Sequence, residues 1–101
     1  MENWNQIKTT KDVENIITKS ATVTQIIFKD STHCGISAYA KSRIVDGYEH
    51  LEGKADFNYL DLLTYRSVSN YIADRLDVIH QSPQIIVVKD GKATHSVTHH
   101  S

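Results

Sequence analysis

Phe28-Lys29-Asp30-Ser31-Thr32-His33-Cys34-Gly35-Ile36-Ser37 decides how the rest of this chain is read. An apolar β-branched run, Thr22 to Phe28, leads into it and reads as a buried central strand. Lys29 to His33 reads as a polar loop. Beyond it, Ile36, Ala40, Ile44, Tyr48 and Leu51 recur every three or four residues, with Ala38 and Val45 widening the stripe. The spacing predicts a helix of about four to five turns, with Gly47 as a soft spot and Gly53 as its stop. The single cysteine of the chain is therefore expected at a helix N-terminus. Unpaired N–H groups and the positive end of the backbone dipole favour thiolate over thiol there. Cys34 reads as a nucleophile. The competing reading, a small buried hydrophobe, is disfavoured by polar Ser31, Thr32 and His33 and by Gly35, which admits close backbone approach.

Upstream, Trp4 to Lys8 alternates weakly, as an edge strand or an ordered lead-in. Thr9 and Asp12 have the spacing of a capping box, and Val13, Ile16 and Ile17 follow at helical intervals until Ser20. Downstream, Asp56 to Leu63 reads as a second strand and Thr64-Tyr65-Arg66 as a connection. Ser67 or Ser69 is expected to cap a helix through Tyr71, Ile72, Ala73 and Leu76. Asp77 to Ser82 is a loop ending at the one proline, Pro83, before a third buried strand, Gln84 to Val88. Lys89-Asp90-Gly91-Lys92 carries a tight-hairpin signal, and Ala93 to Thr98 pairs back antiparallel. Helix-linked strands imply parallel crossovers. The expected fold is α/β: a mixed central sheet flanked by helices.

The 101 residues suit a single domain, 1–101, with one core. Basic and acidic residues are interspersed at a net charge of −1, with no electrostatic footprint for nucleic acid or an anionic membrane. Met1 to Gln6 is polar and leads into no signal-peptide core, and no apolar run is long enough to span a membrane. One cysteine leaves no internal disulfide framework, so a reduced cytoplasmic setting is expected.

Cys34-Gly35-Ile36-Ser37 has C-x-x-C spacing with serine in second place. A hydroxyl cannot expel a trapped partner as a second thiol does. It can donate a hydrogen bond toward the Cys34 sulfur and favour the thiolate. The chemistry open to Cys34 is monothiol exchange: attack a mixed disulfide, retain one half, and await an external thiol. His33, if protonated, would add to thiolate stabilisation.

The first strand, the C-x-x-S motif, Pro83 and the closing hairpin fall in an order that resembles a thioredoxin-like domain, in which a cis-proline faces the active cysteine. The stretch from Phe28 to Ser37, with Leu60-Asp61-Leu62, Arg66-Ser67-Val68-Ser69-Asn70 and His80-Gln81-Ser82-Pro83-Gln84, resembles more closely the monothiol bacilliredoxins of the YtxJ family. The similarity runs from about Trp4 to His95, and His-x-Ser-Pro-Gln is its most discriminating element. Proline commonly follows the cysteine in that family, where this chain has Gly35. Many thioredoxin-like domains lay a last helix over the sheet. This chain stops at Ser101, which invites a partner onto one face.

The resemblance implies removal of bacillithiol from S-bacillithiolated client proteins, with Cys34 and Ser37 catalytic and Thr32, His33, Gly35, Ser82 and Pro83 around the bound thiol. Bacillithiol would be a co-substrate, with no tightly bound cofactor. Two other readings compete. Cys34-Gly35-Ile36-Ser37 is one residue from the C-G-F-S signature of monothiol glutaredoxins that carry iron–sulfur clusters. Against that, Lys89 to Thr94 lacks the glycine pair with which glutaredoxins hold glutathione. The other is a non-catalytic thioredoxin-like binding module. Asp61 reads as a loop or cap group, Arg66 as a surface residue, and Tyr59, Tyr65 and Tyr71 as packing. No second cysteine or carboxylate cluster joins His95, His99 and His100, so no metal site is expected.

Overall fold

The computed structural model describes residues 4–30, 53–81 and 83–98. Five strands and two helices are described: β1 (Asn5–Gln6), α1 (Thr10–Lys19), β2 (Thr24–Asp30), β3 (Ala55–Asp61), α2 (Arg66–Leu76), β4 (Gln84–Lys89) and β5 (Lys92–Thr98). They form one mixed sheet in the order β1-β3-β2-β4-β5. The helix expected from Cys34 to Leu51 lies outside the described residues. Gly53, its expected stop, has φ +83.

The start of α1 follows from two side chains. Thr9 Oγ1 accepts from Asp12 N, and Asp12 Oδ2 accepts from the backbone N–H groups of Thr9 and Lys8. These bonds satisfy donors that a helix start leaves unpaired. Val13, Ile16 and Ile17 then face the sheet. At the other end Ser20 accepts the hairpin: its carbonyl takes Asp90 N and its hydroxyl oxygen takes Gly91 N.

Strand alternation divides the core into two clusters. Ile27, Leu60, Ile86 and Val88 join Val13, Ile16, Ile17, Val68, Ile72 and Leu76 on the helix-bearing face. Ile26, Phe28, Ile85 and Val87 pack with Trp4, Phe57 and Tyr59 on the opposite face. Ile26, Phe28 and Ile85 are fully buried.

Three expectations need correction. The first strand runs from Thr24 to Asp30, so Lys29 and Asp30 are sheet residues. β3 pairs with them through Leu60 and Asp61, and β4 reaches Lys29 through Gln84. Cross-strand bonding overrides the polarity that suggested a loop. Second, α2 begins at Arg66, with Tyr65 as its N-cap and no side-chain cap. Asp61 orders the preceding turn, accepting from Leu63 N, Thr64 N and Thr64 Oγ1, while Ser69 is buried inside the helix. Third, parallel pairing holds for β1, β3 and β2, but β4 runs antiparallel to β2. The left-handed backbone of Asp77 (φ 55) ends α2. Residues 77–81 then lead back to the end of the sheet the chain had left, where His80 meets Lys29.

Candidate active site

The sheet ends that carry the site are set by register. Asp30 pairs with Asp61 across β2 and β3, and Lys29 pairs with Gln84 across β2 and β4. Continued by one residue, the antiparallel register sets Pro83 against Asp30. The end of β2, from which the chain proceeds to Cys34, and the proline that opens β4 therefore share one end of the sheet. Pro83 is half-buried there. Cys34 and Ser37, together with Thr32, His33, Gly35 and Ser82, lie outside the described residues. So does one half of the Ser82–Pro83 bond.

Two buried ionisable residues end β2, on opposite faces because adjacent strand residues alternate. Asp30, 1% exposed, accepts a hydrogen bond from Tyr59 Oη at 2.8 Å on the aromatic face. Burial, then this bond and the nearby acids, push the Tyr59 phenol far up, so it stays a donor. Lys29, 0% exposed, points to the helix-bearing face. Its Nζ donates to the Ser69 carbonyl at 3.1 Å and lies 3.4 Å from His80 Nδ1. Neither partner carries a negative charge, and burial lowers the Lys29 pKa to about 8. Ser69 Oγ also approaches His80 Nδ1, at 3.3 Å. Desolvation, then the Lys29 and Arg66 charges, hold His80 below the ordinary imidazole value, and a Lys29 ammonium, which can only donate, favours the tautomer with an unprotonated Nδ1.

Gln84 completes this polar layer. Its Nε2 donates to the Ile79 carbonyl and to Ser96 Oγ, both at 2.9 Å, while its buried Oε1 has no hydrogen-bond partner among the described residues. The loop before Pro83 is thus tied at Ile79 and at His80. The Ile79 side chain is 81% exposed and Leu63 is 40% exposed; both follow or precede strand termini at this end of the sheet. Asp61 acts as a turn cap, as the sequence allows, and Arg66 is exposed. Tyr71 donates to Glu14, which also pairs with Arg75 and links the helices. His95 is exposed on β5, while His99 and His100 lie outside the described residues; among the described residues no cluster of potential ligands could hold a metal ion. No described helix is long and apolar enough to cross a membrane.

The family model for the monothiol bacilliredoxin BrxC matches residues 5–101. The chain belongs to this family. Among solved structures, a protein assigned as an oxidoreductase with a thioredoxin fold superposes with a TM-score of 0.80 at 26% identity. The alignment covers 97% of this chain and 84% of that one. Mitochondrial thioredoxin 3 of Saccharomyces cerevisiae gives a TM-score of 0.73 at 12% identity, over 96% of this chain and 84% of that one. Fasciola hepatica thioredoxin gives 0.69 at 16% identity, over 93% and 85%. The last two speak for the fold alone. Bacilliredoxin membership and a thioredoxin-like oxidoreductase fold together support a thiol redox function for this chain.

From the sequence, Lys29 and Asp30 read as loop residues, and His80 and Gln84 only as parts of the His-x-Ser-Pro-Gln element, with no role in the site. The available signal was two charged residues directly continuing the β-branched run from Thr22, and a histidine three residues before Pro83.

Proposed function

We propose that the protein is a monothiol thiol–disulfide oxidoreductase that removes bacillithiol from S-bacillithiolated client proteins. The observation that carries this reading is the bacilliredoxin family match across residues 5–101, which includes the one cysteine of the chain. In the first step the Cys34 thiolate attacks the bacillithiol sulfur of the client's mixed disulfide. The client–bacillithiol S–S bond breaks, a Cys34–bacillithiol bond forms, and the client cysteine leaves as thiolate. In the second step an external thiol attacks the bacillithiol sulfur held on Cys34. Cys34 departs with the electron pair, and a low pKa makes it the better leaving group. The two electrons that reduce the client come from that external thiol.

Ser37 is assigned the hydrogen bond that favours the Cys34 thiolate. Thr32, His33, Gly35, Ser82 and Pro83 are assigned to the rim around the bound thiol. Exposed Ile79 and Leu63 offer apolar contact to a client beside that rim. Bacillithiol is a co-substrate here, and the cytoplasm is the compartment in which such exchange fits.

The test uses purified protein and a client carrying a bacillithiol mixed disulfide, followed by intact-mass spectrometry. Appearance of the adduct on the protein, with the client returned to free thiol, is expected. Its loss in Cys34→Ser is expected as well. Full activity in Cys34→Ser overturns the mechanism. No transfer, together with a visible-absorbing dimer after anaerobic reconstitution with iron and sulfide, replaces it with a cluster carrier.

A further inference from the structure

Lys29 is the least expected residue of the fold. It is a cation with no exposed surface, and its two contacts among the described residues are to a helix carbonyl and an imidazole nitrogen rather than to a carboxylate. Buried charges are ordinarily paired with opposite charge or replaced by apolar groups. The nearest acids in sequence and register, Asp30 and Asp61, alternate onto the other face of the sheet. What Lys29 joins is informative. Ser69 belongs to the first turns of α2, and His80 to the segment that carries the chain from α2 to Pro83. The side chain at the paired position of β4, Gln84, ties the same segment one residue earlier through the Ile79 carbonyl.

Resting on the exchange activity proposed above, we propose that Lys29 is a positioning residue for that reaction: anchored on α2, its ammonium holds His80 and thereby sets the approach of the chain to Pro83. The contact requires an ammonium on Lys29 and an unprotonated Nδ1 on His80. Among the described residues, the groups facing this pair are Ser69 and Arg66 from α2 and Gln84 from β4. Arg66 and Lys29 both oppose a charge on His80. The contact is therefore strongest near neutral pH and weakens on either side. Preorganising a binding edge acts on the rate with which a bound disulfide reaches its attacker. It does not act on the intrinsic reactivity of the thiol.

The experiment compares wild type with Lys29→Met, Lys29→Arg, His80→Leu and His80→Asn, all checked for folding by circular dichroism. Two rates are read on each: transfer of bacillithiol from a model peptide mixed disulfide, and alkylation of Cys34 by iodoacetamide. Lys29→Met and His80→Leu are expected to slow transfer by about tenfold, with the alkylation rate and its pH profile within about twofold of wild type. His80→Asn keeps an acceptor near the Nδ1 position and is expected to recover most of the rate lost in His80→Leu. Lys29→Arg keeps the cation and is expected to recover part of the rate lost in Lys29→Met. Unchanged transfer in Lys29→Met overturns the proposal. An equal fall in alkylation and transfer also overturns it, since Lys29 would then act on the thiol itself. A wild type that transfers no bacillithiol removes the exchange reading instead. In that case the His80 ring titration, followed by NMR, decides on the contact alone. A titration that moves up toward the ordinary histidine value in Lys29→Met supports it, and an unmoved one overturns it.

Discussion

A lysine whose pKa falls from 10.5 to about 8 on folding makes a definite statement about stability. Below about pH 8 both the folded and the unfolded chain carry the charge, and the burial penalty acts in full. Between about 8 and 10.5 the unfolded chain binds more protons, so stability rises with pH across that window. Above it, both states are neutral and the penalty is gone. Replacing the ammonium with an apolar group of similar length leaves no unpaired charge, because neither Ser69 nor His80 supplies an anion. His80 Nδ1 also keeps the Ser69 hydroxyl. Lys29→Met is therefore expected to be more stable than wild type at pH 7, by on the order of 1–3 kcal/mol. The difference should shrink as pH climbs from about 8 to 10.5. Urea denaturation at pH 7 and pH 10 measures it. A variant less stable than wild type at pH 7 would mean that the two hydrogen bonds outweigh the desolvation. The expected result is a residue that costs stability and serves another purpose.

At the level of elements, α1 shows how few residues set a boundary. Thr9→Ala removes the hydroxyl that accepts from Asp12 N and dissolves half of the capping box. The expected cost is about 1 kcal/mol, or a fall in Tm of roughly 4–8 °C for a chain of this size. Thermal unfolding monitored at 222 nm checks it, and an unchanged Tm would mean that Asp12 and its two backbone donors suffice. The hairpin between β4 and β5 offers a second case. Asp90 (φ 50) and Gly91 (φ 77) both take left-handed backbone, as a two-residue turn of primed type requires. A Cβ on Gly91 would meet only Ile17 Cγ2, at an ordinary 3.7 Å. Gly91→Ala is expected to cost roughly 1 kcal/mol through backbone strain alone. Gly91→Asn, which tolerates this conformation better, should recover part of it in the same unfolding assay. Both boundaries were legible in the sequence because their chemistry is local. The end of β2 was not. Lys29 and Asp30 look like loop residues until β3 and β4 supply their partners, and sequence spacing carries no record of those strands. The start of α2 was misread for a related reason. Ser67 and Ser69 are good capping types, but Asp61, five residues upstream of Arg66, had already ordered the turn.

The whole molecule is organised by strands that serve two faces at once. β2 gives Ile27 to the helix-bearing cluster and Ile26 and Phe28 to the aromatic one; β4 divides Ile86 and Val88 from Ile85 and Val87 in the same way. The thioredoxin-like assignment came from the resemblance, and the order of elements was readable from hydrophobic runs and punctuation. The direction of β4 was not, since it depends on where the segment after α2 is anchored, at Lys29 and Gln84. Shared strands have a thermodynamic consequence. Neither face can lose its packing while the other keeps its sheet, so unfolding should be a single cooperative transition. The protein carries its own reporter: Trp4, the one tryptophan of the chain, contacts Phe57 with ring centroids 5.0 Å apart and Phe28 at 6.0 Å. It reads the aromatic face, whereas far-UV circular dichroism reads backbone structure across the chain. In urea the two signals are expected to superimpose, with one midpoint and one slope. Fluorescence lost at lower urea than helicity would show that β1 and the aromatic face open separately. That result would make the short, two-residue β1 an edge that detaches, and would restrict the cooperative unit to β2, β3, β4 and the helices packed on them.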